Sequence, residues 1–99
     1  MNTEETQFAN RPERHRYELS IGGKTAGHID YRMGDGHVDM LHTEVEPEYE
    51  GQGLASKLAR SALDDARSQG LKVIPSCSYI AEYVRRHPEY EDILQRRLR

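Results

Sequence analysis

Tryptophan is absent from this 99-residue chain, phenylalanine and cysteine occur once each, and only 35% of residues are hydrophobic. Each shortage excludes something. With mean hydropathy −0.90, no stretch approaches the roughly 20 apolar residues that a membrane-spanning helix needs. Cys77 stands alone, so no intrachain disulfide forms, and a free thiol fits a reducing compartment. Residues 1–10 are polar and lack the apolar centre of a secretory leader, so the chain is expected in the cytoplasm. The scarcity of stacking aromatics and the net charge of −3 argue against nucleic-acid binding. The five histidines, His15, His28, His37, His42 and His87, have no metal-site spacing. There is no Gly-Lys-Ser/Thr phosphate loop and no three-glycine dinucleotide fingerprint.

What remains is one thin-cored domain, expected over residues 14–99 behind a loose polar tail of residues 1–13. Tyr17, Leu19 and Ile21 alternate as in a half-buried strand, and Gly22-Gly23 marks a hairpin. A second strand is predicted over residues 25–33 and a third over 38–45, with the tight turn Gly34-Asp35-Gly36 between them. In the third the alternation is imperfect: Val38, Met40, His42 and Glu44 fall on one face and Asp39, Leu41, Thr43 and Val45 on the other, and polar groups on both predict that one face lines a cleft. Leu54, Leu58, Ala62 and Ala66, with Ala55, Ala59 and Leu63, form the apolar stripe of a helix over residues 52–69 that ends at Gly70. Residues 71–74 read as a short buried parallel strand closed by Pro75. A second helix runs from Cys77 or Ser78 to Arg86 and is broken at Pro88, and a short terminal helix is expected over 89–99. The acidic run Glu44, Glu46, Glu48 and Glu50 and the C-terminal Arg85, Arg86, Arg96, Arg97 and Arg99 read first as solvated surface.

The richest stretch is residues 44–60. A strand ends at Val45, Pro47 stops it, and Gly51 and Gly53 open the helix. Glycines before a helix N-terminus let backbone N–H groups approach an anion unobstructed, and the helix dipole adds about half a positive charge there. A phosphate-bearing cofactor is the chemistry this arrangement suits.

This βββαβαα order, with Glu50-Gly51-Gln52-Gly53-Leu54-Ala55 after the third strand, resembles the core of the GNAT superfamily of acyl-CoA N-acyltransferases. The signature there is Arg/Gln-x-x-Gly-x-Gly/Ala. Glu50 stands where Arg or Gln is usual, so the likeness carries a backbone cradle and no side-chain contact from that position. His42-Thr43-Glu44-Val45 before Pro47, Cys77-x-Tyr79-Ile80-x-x-Tyr83-Val84 and His87-Pro88-Glu89-Tyr90 resemble a compact subfamily of about this length. Against larger members the chain lacks the N-terminal strand and helices that wall the acceptor site.

The resemblance implies a minimal α/β fold, with a mixed, mostly antiparallel sheet and a short parallel strand pair at the coenzyme A cleft. It implies an N-acetyltransferase that moves an acetyl group from acetyl-CoA to an amine, a small molecule or a protein lysine, and a monomer or weak homodimer. The alternative is a non-catalytic acyl-CoA-binding module that acts with a partner protein. The implied cofactor contacts are Val45, Gly51, Gln52, Gly53, Leu54, Ala55, Ser56 and Lys57. His42 or Glu44 is the implied base, Thr43 orients a water or the thioester carbonyl, and Tyr83 donates a proton to the leaving thiolate. Cys77 either accepts the acyl group transiently or packs beside the thioester; a small buried hydrophobe is its plainer role.

Overall fold

The computed structural model describes residues 5–95. Strand β1 (Thr6–Arg11) leads through the 3-10 turn Pro12–Arg14 into β2 (Arg16–Ile21), β3 (Lys24–Gly34) and β4 (His37–Val45). A 3-10 turn (Pro47–Tyr49) precedes helix α1 (Leu54–Ser68), followed by β5 (Lys72–Pro75), helix α2 (Ser78–Arg86) and a 3-10 segment, Pro88–Ile93. The five strands form one sheet in the order β1-β2-β3-β4-β5. Every pairing is antiparallel except β4–β5, which is parallel because the α1 crossover separates the two.

The apolar stripe of α1 is buried as the periodicity predicts. Leu58, Ala59, Ala62, Leu63 and Ala66 are fully enclosed beneath the sheet residues Leu19, Ile29, Val38 and Met40. From α2, Ile80, Tyr83 and Val84 complete this core. Ala55, also placed on the stripe, is only half-buried because it lies at the mouth of a cleft. No described helix is long and apolar enough to cross a membrane.

Two expectations are corrected at the chain ends. The expected loose tail contains β1, an edge strand in register with β2 from Thr6 opposite Ile21 to Arg11 opposite Arg16. So the chain does carry an N-terminal strand. Its six residues, Thr-Gln-Phe-Ala-Asn-Arg, have too few apolar groups for a strand period. Ladder bonds and the stacking of Phe8 on Tyr17, 5.7 Å between ring centres, hold it instead. The short terminal helix expected over 89–99 is a 3-10 segment that opens at Pro88, and residues 96–99, with Arg96, Arg97 and Arg99, lie outside the described residues.

A third correction bears on chemistry. Asp30 faces His42 while Tyr31 faces Met40, so Leu41 is an extra residue, a β-bulge. One inserted residue reverses the side-chain phase of the rest of the strand. Val38 and Met40 face the helices, yet beyond the bulge Thr43 and Val45 do so, and His42 and Glu44 turn to the helix-free face. The face assignment expected for this strand, with Val38, Met40, His42 and Glu44 together, therefore fails at Leu41.

Candidate active site between β4 and β5

The parallel pair is short. β5 matches β4 from His37–Lys72 to Met40–Pro75, and the Cys77 N–H then donates to the Met40 carbonyl at 2.8 Å as the chain turns into α2. β4 runs on to Val45, paired among the described residues only with β3. The Glu46 N–H donates to the Ala26 carbonyl at 2.8 Å. Hydrogen-bonding direction alternates along a strand, so the main-chain groups of Val45 and Thr43 point the other way, into the gap that β5 has left.

The start of α1 closes one end of this gap. Gly51 and Gly53 adopt φ of 85° and 75°, conformations that disfavour any residue with a Cβ. A Cβ built on either meets nothing within 4 Å, so both face open space. Gly53 caps the helix without a side-chain bond. The Lys57 N–H closes the first turn on the Gly53 carbonyl at 3.2 Å, which leaves the N–H groups of Leu54, Ala55 and Ser56 without intrahelical acceptors. Together they line a cleft of about 190 Å³ with Val45, Tyr49, Glu50 and Tyr79. Its donors are main-chain groups at a helix N-terminus, the arrangement that accepts a phosphate. Gln52 and Lys57 are not among its walls, and the Lys57 ammonium reaches the Thr6 hydroxyl on β1 at 3.2 Å.

A second cleft, of about 280 Å³, continues from the first through Ser56 and Tyr79, and Glu82, Tyr83, Arg86 and His87 form the rest of its wall. Burial raises the Tyr83 phenol above its usual value, while the Ser56 hydroxyl and Arg60 draw it back. Hydrogen bonds from Arg85 and Arg86 hold the Glu82 carboxyl down to about 2, so it remains an anion already matched by arginine.

The predicted catalytic residues separate into three places. Thr43 and Cys77 meet at the strand gap, with Oγ1 and Sγ 3.3 Å apart, and Cys77 is buried just before α2. His42 and Glu44 pair with each other at 3.3 Å on the helix-free face, with side chains 59% and 54% exposed. Beside them on β3 lies His28, paired with Asp30. Tyr83 stands farther along α2. Three wall residues, Tyr49, Glu50 and Tyr79, were not among the predicted contacts. The Tyr79/Tyr83 spacing of one helical turn was the available signal for Tyr79. Among the described residues, no group of three or more His, Cys, Asp or Glu side chains is placed to hold a metal.

A mixed sheet whose parallel pair splays beside a glycine turn defines an acyltransferase-like α/β domain, and the family comparison agrees. The family model described as GCN5-related N-acetyl-transferase matches residues 16–93, and the chain belongs to that family. Protein NATD1 of Gallus gallus and of Mus musculus are each 42% identical to it over 65 residues, which is 64% of this chain and 59% of theirs. The human NATD1 protein is 42% identical over 65 residues, 58% of its length. The match therefore spans less than two thirds of these relatives. An NMR solution structure of a GCN5-like N-acetyltransferase candidate from Staphylococcus aureus superposes with a TM-score of 0.68 at 24% identity, covering 93% of this chain and 90% of that one, a likeness of fold.

Proposed function

We propose that this chain is an acetyl-CoA-dependent N-acetyltransferase acting on an amine. One observation carries the reading: a helix N-terminus with free N–H groups opens onto a strand edge whose main-chain groups at Thr43 and Val45 have no partner strand among the described residues. The N–H groups of the 51–56 turn hold the pyrophosphate of coenzyme A. The open edge of β4 pairs with the pantetheine amides as an added strand does. Bound acetyl-CoA supplies the activated thioester. The Val45 N–H polarises its carbonyl, with Thr43 beside it. His42 or Glu44 accepts the proton of the attacking amine. Tyr83 gives a proton to the leaving sulfur, and Cys77 packs at the gap. The acidic residues Glu44, Glu46 and Glu50 favour a cationic acceptor, a polyamine or a lysine side chain; Glu48 is already matched by Lys24 at 3.1 Å.

Calorimetric titration with acetyl-CoA and with CoA tests the reading, alongside Gly53→Glu. A side chain at that left-handed position strains the backbone by roughly 1–2 kcal/mol, so the variant is melted in parallel to establish that it folds. Binding by the wild type and none by the folded variant is expected. No binding by the wild type removes the cofactor and every role built on it.

The exposure of His42 and Glu44, away from Thr43 and Cys77, favours a second reading, an acyl-CoA-binding module that acts with a partner. Tight CoA binding without turnover over a broad amine panel selects it.

A further inference from the structure

Helix α2 ends in an aromatic ladder of which the reading above uses only Tyr83. Tyr79, Tyr83 and His87 follow at successive turns, with ring centres 6.5 Å and 4.0 Å apart. The Tyr83 and His87 planes are inclined by 23°, a face-to-face stack. Pro88 sets this up. The residue before a proline is driven out of the helical region, and His87 has φ −127° and ψ 77°. Its main chain is fixed on both sides: the His87 N–H donates to the Val84 carbonyl at 3.2 Å, and the Tyr90 N–H donates to the His87 carbonyl at 3.0 Å. The ring's Nδ1 lies 3.7 Å from the Glu89 carboxylate, beyond hydrogen-bond distance, so the stack on Tyr83 and the fixed main chain are what place it. His87 thus covers one face of Tyr83, while the Ser56 hydroxyl lies at the phenol end.

We propose that His87 is the positioning residue for Tyr83: its stacked ring shields the phenol and holds its hydroxyl at the second cleft. The inference rests on the acid role given to Tyr83. In that step the Tyr83 O–H bond breaks, its proton forms the S–H bond of the departing coenzyme, and solvent returns a proton to the phenolate. A freely rotating phenol loses the alignment this transfer needs, so the cost falls on turnover and not on cofactor affinity. The groups about the phenol are Ser56 and Arg60 from α1, Tyr79, Glu82 and Arg86 from α2, Glu89 and Tyr90 from the C-terminal 3-10 segment, and His87 itself.

The test uses His87→Ala, which removes the stack, and His87→Phe, which keeps it. Two quantities are read. One is thiol release from acetyl-CoA with spermidine as the amine. The other is the alkaline absorbance titration of the Tyr83 phenol, isolated by subtracting Tyr83→Phe. His87→Ala is expected to lower kcat on the order of tenfold or more with the KM for acetyl-CoA unchanged. It also brings the phenol midpoint down toward its ordinary value as water reaches the ring. His87→Phe restores both. A wild-type kcat and phenol titration in His87→Ala overturn the proposal and leave the acid role of Tyr83 standing. A raised KM with unchanged kcat makes His87 a cofactor contact and also overturns it. Wild-type turnover in Tyr83→Phe, or no turnover by the wild type, removes the acid role and the proposal with it; the first is read in a variant that leaves His87 untouched.

Discussion

Replacing Gly27 by alanine probes how tightly β3 is packed behind the strand gap. Gly27 sits opposite Val45 on β4, and a Cβ there meets the Glu44 carbonyl oxygen at 3.0 Å and Leu58 Cδ2 and Val45 Cγ2 at 3.4 Å. The nearest atom belongs to main chain held in a ladder, so β4 itself must shift by a few tenths of an ångström. Overfilling a packed site costs about 1–3 kcal/mol. Restricting the unfolded chain by Gly→Ala recovers about 0.4–1 kcal/mol. The difference is a loss of about 1 kcal/mol, or roughly 4–8 °C in Tm for a domain of this size. Urea and thermal unfolding measure it, and acetyl-CoA titration should weaken in parallel because Val45 and Thr43 move with β4. A variant as stable as wild type, with unchanged binding, refutes the tight β3–β4–α1 contact.

Cys77→Ala should retain CoA binding and most turnover, since the buried thiol is read as packing against Thr43; loss of turnover on the order of 10²-fold or more would instead assign it a chemical step. His42→Gln and Glu44→Gln should differ: replacing the residue that serves as base lowers kcat on the order of 10²-fold, and wild-type kcat in both variants rules out both residues. Tyr90→Phe removes the hydrogen bond to Asp64 at 2.8 Å and should cost about 0.5–1.5 kcal/mol in urea unfolding; no change argues that solvent supplies the bond. Burial raises the phenols of Tyr17 and Tyr90 above the ordinary value, so the folded state keeps these protons longer than the unfolded chain. That contribution is complete below about pH 10, the unfolded value, and is lost as pH rises from there through the raised folded values, so stability should fall steadily above about pH 10, less steeply in Tyr17→Phe; equal slopes contradict the assignment.

Much of the site was legible because it is local. Glycine at 51 and 53, proline at 47 and a clean apolar stripe from Leu54 act within a few residues of themselves, and the helix start they predict lies within two residues of that observed. Long-range placement was not legible in the same way. β1 has no apolar period, since its stability comes from a neighbour that supplies the ladder. Glu18 reads as an ordinary alternating polar residue, yet it is 6% exposed and stands within ion-pair reach of Arg11, Arg14 and Arg16, two of which precede the strand that carries it.

The sequence by itself determined the strand–turn–helix at residues 44–60, the length of α1 and the break at Pro88, because each depends on backbone preferences and a short-range period. Only the tertiary structure decided which side of the sheet each β4 residue faces. The Leu41 bulge depends on register with β3, and it sends Thr43 toward Cys77 and turns His42 and Glu44 together to the helix-free face. The unpaired edge of Val45 was likewise settled by where β5 stops, a contact between segments far apart in the chain.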